Sequence, residues 1–229
     1  MRVDISKEKD YYTQRNNRID PLNACSVTSM VMALSYIGVD FTEFEKRGIQ
    51  PEDDLLQFLR TNPEVYNFYE LIDPYRAREW KNNPSNPLAI PPNEYHSVLA
   101  YGTNLWLGKK DVVTFHTNFT IFSIVQELAY KKSPLVQSAK WGNLNHIFCT
   151  VGFISTMNLE NYDNISSIFS LVNSITHFII DDPFGNPLTN FKDVNGNSVE
   201  IPYDMYISHV KPLNNIEMKW AHVFSKENL

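Results

Sequence analysis

Cys25 and Cys149, with histidines at 96, 116, 146, 177, 209 and 222, are the side chains of this chain best suited to nucleophilic and proton-transfer chemistry near neutral pH. Cys25 lies in Asn23-Ala-Cys25-Ser-Val-Thr, ahead of apolar residues at Val27, Val31, Leu34 and Ile37 and a glycine at 38. That spacing predicts a helix from Asn23 to Gly38, with Asn23 as its N-cap and the thiol in its first turn. The positive dipole end and unused N–H groups of a first turn favour a thiolate, the form that attacks carbonyl carbon. A cysteine at a helix start is often just a small buried residue, so partners must be sought.

His146 follows the polar run Trp141-Gly-Asn-Leu-Asn145 and opens the apolar stretch Ile147 to Gly152, where a ring can face a cleft while its neighbours anchor a strand. It is the candidate base. Asp182 ends the next apolar stretch, Phe178-Ile-Ile-Asp-Asp-Pro-Phe-Gly185, placed to accept a hydrogen bond from that imidazole. An Asp before Pro also starts ordinary turns, and Asp181 is the rival on the opposite face. Gln14, in Tyr11-Tyr-Thr-Gln-Arg-Asn-Asn17, offers an amide that with the Cys25 backbone N–H would hold an oxyanion. Cys149 is three residues past His146, on the other face of a strand, and reads as a core thiol. With no His-Glu-x-x-His run and no Cys-x-x-Cys pair, no metal and no cofactor is expected.

The ordered series Gln14, Cys25, His146, Asp182, with its segments Asn-Ala-Cys25-Ser-Val-Thr-Ser-Met-Val-Met-Ala-Leu-Ser-Tyr-Ile-Gly38, Asn-His146-Ile-Phe-Cys-Thr-Val-Gly152 and Ile-Ile-Asp-Asp182-Pro-Phe-Gly185, resembles the papain-like cysteine peptidases related to bacteriocin-leader-processing enzymes, above all the stand-alone bacterial and phage type. The resemblance spans most of the chain. It implies a catalytic triad of Cys25, His146 and Asp182, oxyanion assistance from Gln14, and a peptide or amide substrate, with a phage-type peptidoglycan hydrolase (endolysin) acting on peptidoglycan peptides as one form. Ser26 stands where many members carry Gly. An inactive papain-like binding or structural protein and a transglutaminase-like acyl transferase are the alternatives.

To position these groups the chain needs a leading helix against a sheet. Pro51, the acids Glu52, Asp53 and Asp54, and Arg60 mark a second helix. The prolines at 63, 74, 84, 87, 91 and 92 predict a wandering aromatic-rich segment with at most short helical turns. Asn118 or Thr120 would cap a third helix running to Lys132. Leu135 to Lys140, Ile147 to Ile154 and Ile175 to Asp181 read as strands, and Asn195-Gly196 as a hairpin turn between Phe191 and Ile201. Helices first and strands later point to an α+β, papain-like fold: a single domain over 1–229, with the catalytic helix on an antiparallel β-sheet and insertions near 62–95 and 156–174.

A net charge of −6 and no clustered Lys/Arg argue against a nucleic-acid partner. No apolar stretch reaches bilayer length, and the charged start Met-Arg-Val-Asp-Ile-Ser-Lys-Glu-Lys-Asp is unlike a secretory signal. A cytoplasmic location as synthesised is expected, with release to the cell wall by lysis or non-classical export if peptidoglycan is the target. Two cysteines are too few for a disulfide framework, although one bridge is compatible with the count.

Overall fold

The computed structural model describes residues 1–7, 10–86, 89–157, 165–210 and 219–229, with the backbone alone at 165–167. It is an α+β fold. In chain order come β1 (Arg2–Asp4), α1 (Cys25–Ile37), α2 (Thr42–Lys46), α3 (Pro51–Thr61), α4 (Pro63–Ile72), α5 (Pro74–Asn82) and α6 (His96–Leu107). The sheet-rich half comes next, with β2 (Val113–Phe119), α7 (Ile121–Gln126), β3 (Leu135–Trp141), β4 (Leu144–Ser155), α8 (Ile165–Asn173), β5 (Ile175–Asp181), β6 (Val199–Pro202), α9 (Tyr203–His209) and β7 (Lys219–Phe224).

The strands pair in the order β2-β7-β3-β4-β5-β6, every pair antiparallel. β1 continues the β3 edge by pairing the second half of the long β4, Val3 opposite Phe153. One face of the sheet, with Val136, Cys149, Val151 and Ile179, packs under α1 through Val27, Met30, Val31 and Leu34. The expected apolar stripe on α1 understates its burial: every residue from Ser26 to Ile37 is buried, with α3 packed against it and Leu55, Leu56 and Leu59 of α3 and Val98 and Leu99 of α6 in the same apolar cluster. The opposite face, with Phe148, Phe153, Phe178 and Ile180, is covered by Ile124, Val125 and Leu128 of α7 and its extension, Leu171 of α8 and Tyr206 of α9. Burying a side chain such as Leu34 or Phe178 stabilises by about 1.5–3 kcal/mol, so the sheet and α1 form one cooperative frame.

Three expectations are corrected. Asn23 does not cap α1: the N-cap is Ala24, with no side-chain bond, while Asn23 donates to Asp20 Oδ1 at 2.8 Å. The segment after Asn62 is helical, since Pro63 and Pro74 sit in first turns, where a missing N–H costs nothing, and Asn62 caps α4 as Asp73 caps α5. Asn195-Gly196 makes no hairpin of its own; it belongs to the long connection between β5 and β6, which pair directly, Ile180 opposite Val199. Thr120 caps α7 by accepting from Ser123 N, and a π-helical turn extends it to Lys131. Residues 158–164 of the expected insertion lie outside the described residues; α8 occupies its later part.

Candidate active site

The start of α1 and the first half of β4 meet over a cleft of about 460 Å³, whose lining includes Gln14, Cys25, His146, His96, Phe184 and Trp220. No side chain caps α1, which leaves first-turn N–H groups without a capping side chain at the end of the helix that carries a partly exposed Cys25. One contact anchors that turn, Asn93 Nδ2 donating to Ser26 Oγ at 3.4 Å, and Asn93 is itself held by Arg60, which donates to its Oδ1 and pairs with Asp20 at 2.7 Å.

β3 and β4 form a hairpin through Gly142 and Asn143, with His146 opposite Ala139 two residues in from the turn. The His146 ring is 4 % exposed and packs against Phe184 and Phe191, with centroids 5.7 and 5.9 Å away. Its Nε2 is 2.7 Å from Asp182 Oδ1, close enough for a charge-assisted contact although it lacks linear hydrogen-bond geometry. Nδ1 is left for the thiol. Burial alone would lower the His146 pKa; the Asp182 charge and contact, then Cys25, raise it to about 10. Burial pushes the Asp182 carboxyl up, and the imidazolium opposes that shift. Each charge offsets the cost of burying the other, which favours the ionised pair over either charge alone.

Asp182 is held from both sides. Phe184 N donates to its Oδ1 at 2.9 Å, and the segment before α1 clamps the turn around it: Tyr11 Oη donates to Asp182 O, Gln14 N and Thr13 Oγ1 to Pro183 O, and Arg15 Nε to Phe184 O at 2.6 Å. Gln14 itself is 1 % exposed and lines the cleft; its Nε2 donates to Pro21 O at 2.8 Å, and an amide nitrogen carries a second hydrogen. Gly196 closes the other side: Asp182 N donates to Gly196 O at 3.0 Å, and a Cβ on Gly196 would fall 2.1 Å from Asp182 O. Gly196→Ala should therefore displace Asp182, costing about 1–3 kcal/mol by overpacking in a thermal melt and slowing Cys25 alkylation as the base loses its orientation.

The two aspartates separate cleanly. Asp181, opposite Cys149 in the register, points to α1, where Oδ2 accepts from Tyr36 Oη at 2.6 Å and Oδ1 from Ser198 N. Burial pushes it up to about 7 against those two hydrogen bonds. Cys149 is fully buried and its thiol donates to Ser29 O at 3.0 Å; burial pushes it well up. Both cysteines are free thiols. Asp181→Asn should thus cost about 1–3 kcal/mol of stability by misplacing a donor against Tyr36 or Ser198, and leave the iodoacetamide rate at Cys25 within about threefold of the parent.

Cleft residues that the sequence did not single out come from distant elements: His96 opens α6 and Trp220 lies in β7, their rings 3.9 Å apart. His96 was visible only as one histidine of six. Among the described residues no group of three or more His, Cys, Asp or Glu is arranged to hold a metal, and no helix is long and apolar enough to cross a membrane. Comparison with protein-family models, with curated proteins and with solved structures finds no match to this chain.

Proposed function

We propose that this chain is a papain-like cysteine hydrolase that cleaves a peptide or amide bond, with Cys25 as nucleophile, His146 as acid and base, Asp182 as the group orienting His146, and Gln14 assisting the oxyanion. The observation that carries this reading is the 2.7 Å contact of a buried His146 with a clamped Asp182 at one end of a cleft that Cys25 shares. Sγ of Cys25 adds to the carbonyl carbon, and the π pair moves to oxygen, where the Cys25 N–H and the second Gln14 amide hydrogen receive it. The imidazolium then gives its proton to the leaving nitrogen as the C–N bond breaks, leaving a thioester. Water, deprotonated by His146, attacks that thioester; the acid leaves and the sulfur recovers its electron pair.

A stem peptide of peptidoglycan is one substrate in this class. Incubating the protein with a peptide library and with purified peptidoglycan, with mass spectrometry of new amine termini, tests the reading. Cleavage by the parent and none by Cys25→Ser is expected. Absence of new termini in both substrates contradicts it.

A further inference from the structure

The cleft holds a second imidazole that the triad does not use. His96 Nδ1 is 3.2 Å from His222 Nε2, and His96 lies against Trp220 at 3.9 Å and Phe115 at 5.3 Å between centroids. His222 is fully buried, and its other nitrogen, Nδ1, has no hydrogen-bond partner among the described residues. That settles the tautomers. If His96 donated, a neutral His222 would have to carry its proton on Nδ1 and bury an N–H with no acceptor, the costlier of the two ways to leave that atom alone. His222 Nε2–H therefore donates to His96 Nδ1, and a neutral His96 must carry its own proton on Nε2.

His96 is partly exposed and lines the same cleft as Cys25, and its Nε2 is not among the buried atoms lacking a partner. From this geometry we infer that His96 is a substrate-positioning residue: a fixed neutral donor whose Nε2–H takes a backbone carbonyl oxygen of a peptide laid along the Trp220 side of the cleft. The inference rests on the hydrolase reading of the site. Burial supports it by lowering the His96 pKa to about 4 and by holding His222 well below its ordinary value, so neither ring competes for the proton that His146 handles. The other titratable groups around this wall are Glu94, which precedes α6, Cys25 and His146 of the same cleft lining, and His116 on β2, next to His222. Trp220 and Phe115 fix the ring plane, so the donor is held in one direction before substrate arrives.

The test has two arms. Imidazole nitrogen NMR on the parent should find His96 as the Nε2–H tautomer, with no titration between about pH 5 and 8; an Nδ1–H tautomer or a titration in that range overturns the lock. In the second arm Cys25 is labelled with benzyloxycarbonyl-Ala-Ala chloromethyl ketone, which presents peptide carbonyls, and with methyl methanethiosulfonate, which presents none. In His96→Phe the half-saturating concentration of the peptidyl reagent should rise about tenfold, while its limiting rate and the methanethiosulfonate rate stay within about twofold. His96→Gln, which restores an N–H, should recover part of the loss. Unchanged half-saturation in His96→Phe, or equal slowing with both reagents, overturns the proposal. Failure of the hydrolase reading is read separately, as methanethiosulfonate labelling that does not differ between the parent and His146→Ala.

Discussion

Replacing His146 by alanine is expected to lower peptide hydrolysis by about 10²–10⁴-fold, the range for loss of a positioned acid–base group. The same change should alter the pH dependence of folding in a defined direction. Burial lowers His146, but Asp182 and Cys25 hold it at about 10, above its ordinary 6.5. A folded-state pKa raised in this way contributes stability that is complete below pH 6.5 and is lost as pH rises toward 10. Urea melts of the parent and of His146→Ala should therefore differ most near pH 6 and converge toward pH 10. A difference that grows with pH would mean that His146 is buried neutral and that Asp182 does not charge it.

Asp182→Asn is expected to cost about 10²–10⁴-fold in hydrolysis while the chain still folds. The asparagine can keep the hydrogen bond from Phe184 N through its remaining oxygen, and Tyr11, Thr13, Gln14 and Arg15 still grip the turn through backbone carbonyls rather than through the carboxylate. What is lost is the negative charge that holds the imidazolium. With that charge gone, burial governs His146 and its pKa falls, so the high-pH limb of the alkylation profile, expected near pH 10 in the parent, should move to lower pH. Asp181→Asn, whose side chain serves Tyr36 and Ser198, should leave that limb in place.

The residues brought together here were those with local signals. Cys25 sits between a turn and a long apolar run, and Asp182 comes just before proline at the end of an apolar strand, so their placement depends on near neighbours. The choice between Asp181 and Asp182 could not be made that way. It depends on the β4–β5 register, which shifts between Thr150 and Gly152 and sets Asp181 opposite Cys149 on the α1 side. Pro63 and Pro74 misled because proline interrupts a helix interior and begins a helix equally well, and only the caps at Asn62 and Asp73 decide between the two. Asn195-Gly196 misled because the glycine is required by the approach of Asp182 O rather than by a two-residue turn. His96, Trp220 and His222 carried no local signal, since His96 and His222 meet across 126 residues through the pairing of β7 with β2 and β3 and the docking of α6.

The most direct test is the rate at which iodoacetamide alkylates Cys25, measured by peptide mass spectrometry from about pH 5 to 10 in the parent and in His146→Ala. The buried Cys149 serves as an internal reference that should label slowly in both. An activated Cys25–His146 pair predicts that the parent is alkylated at least about tenfold faster at pH 6 and that this advantage vanishes in the variant. Equal rates at Cys25 in the two proteins across that range would contradict the account and leave the fold as a scaffold for binding.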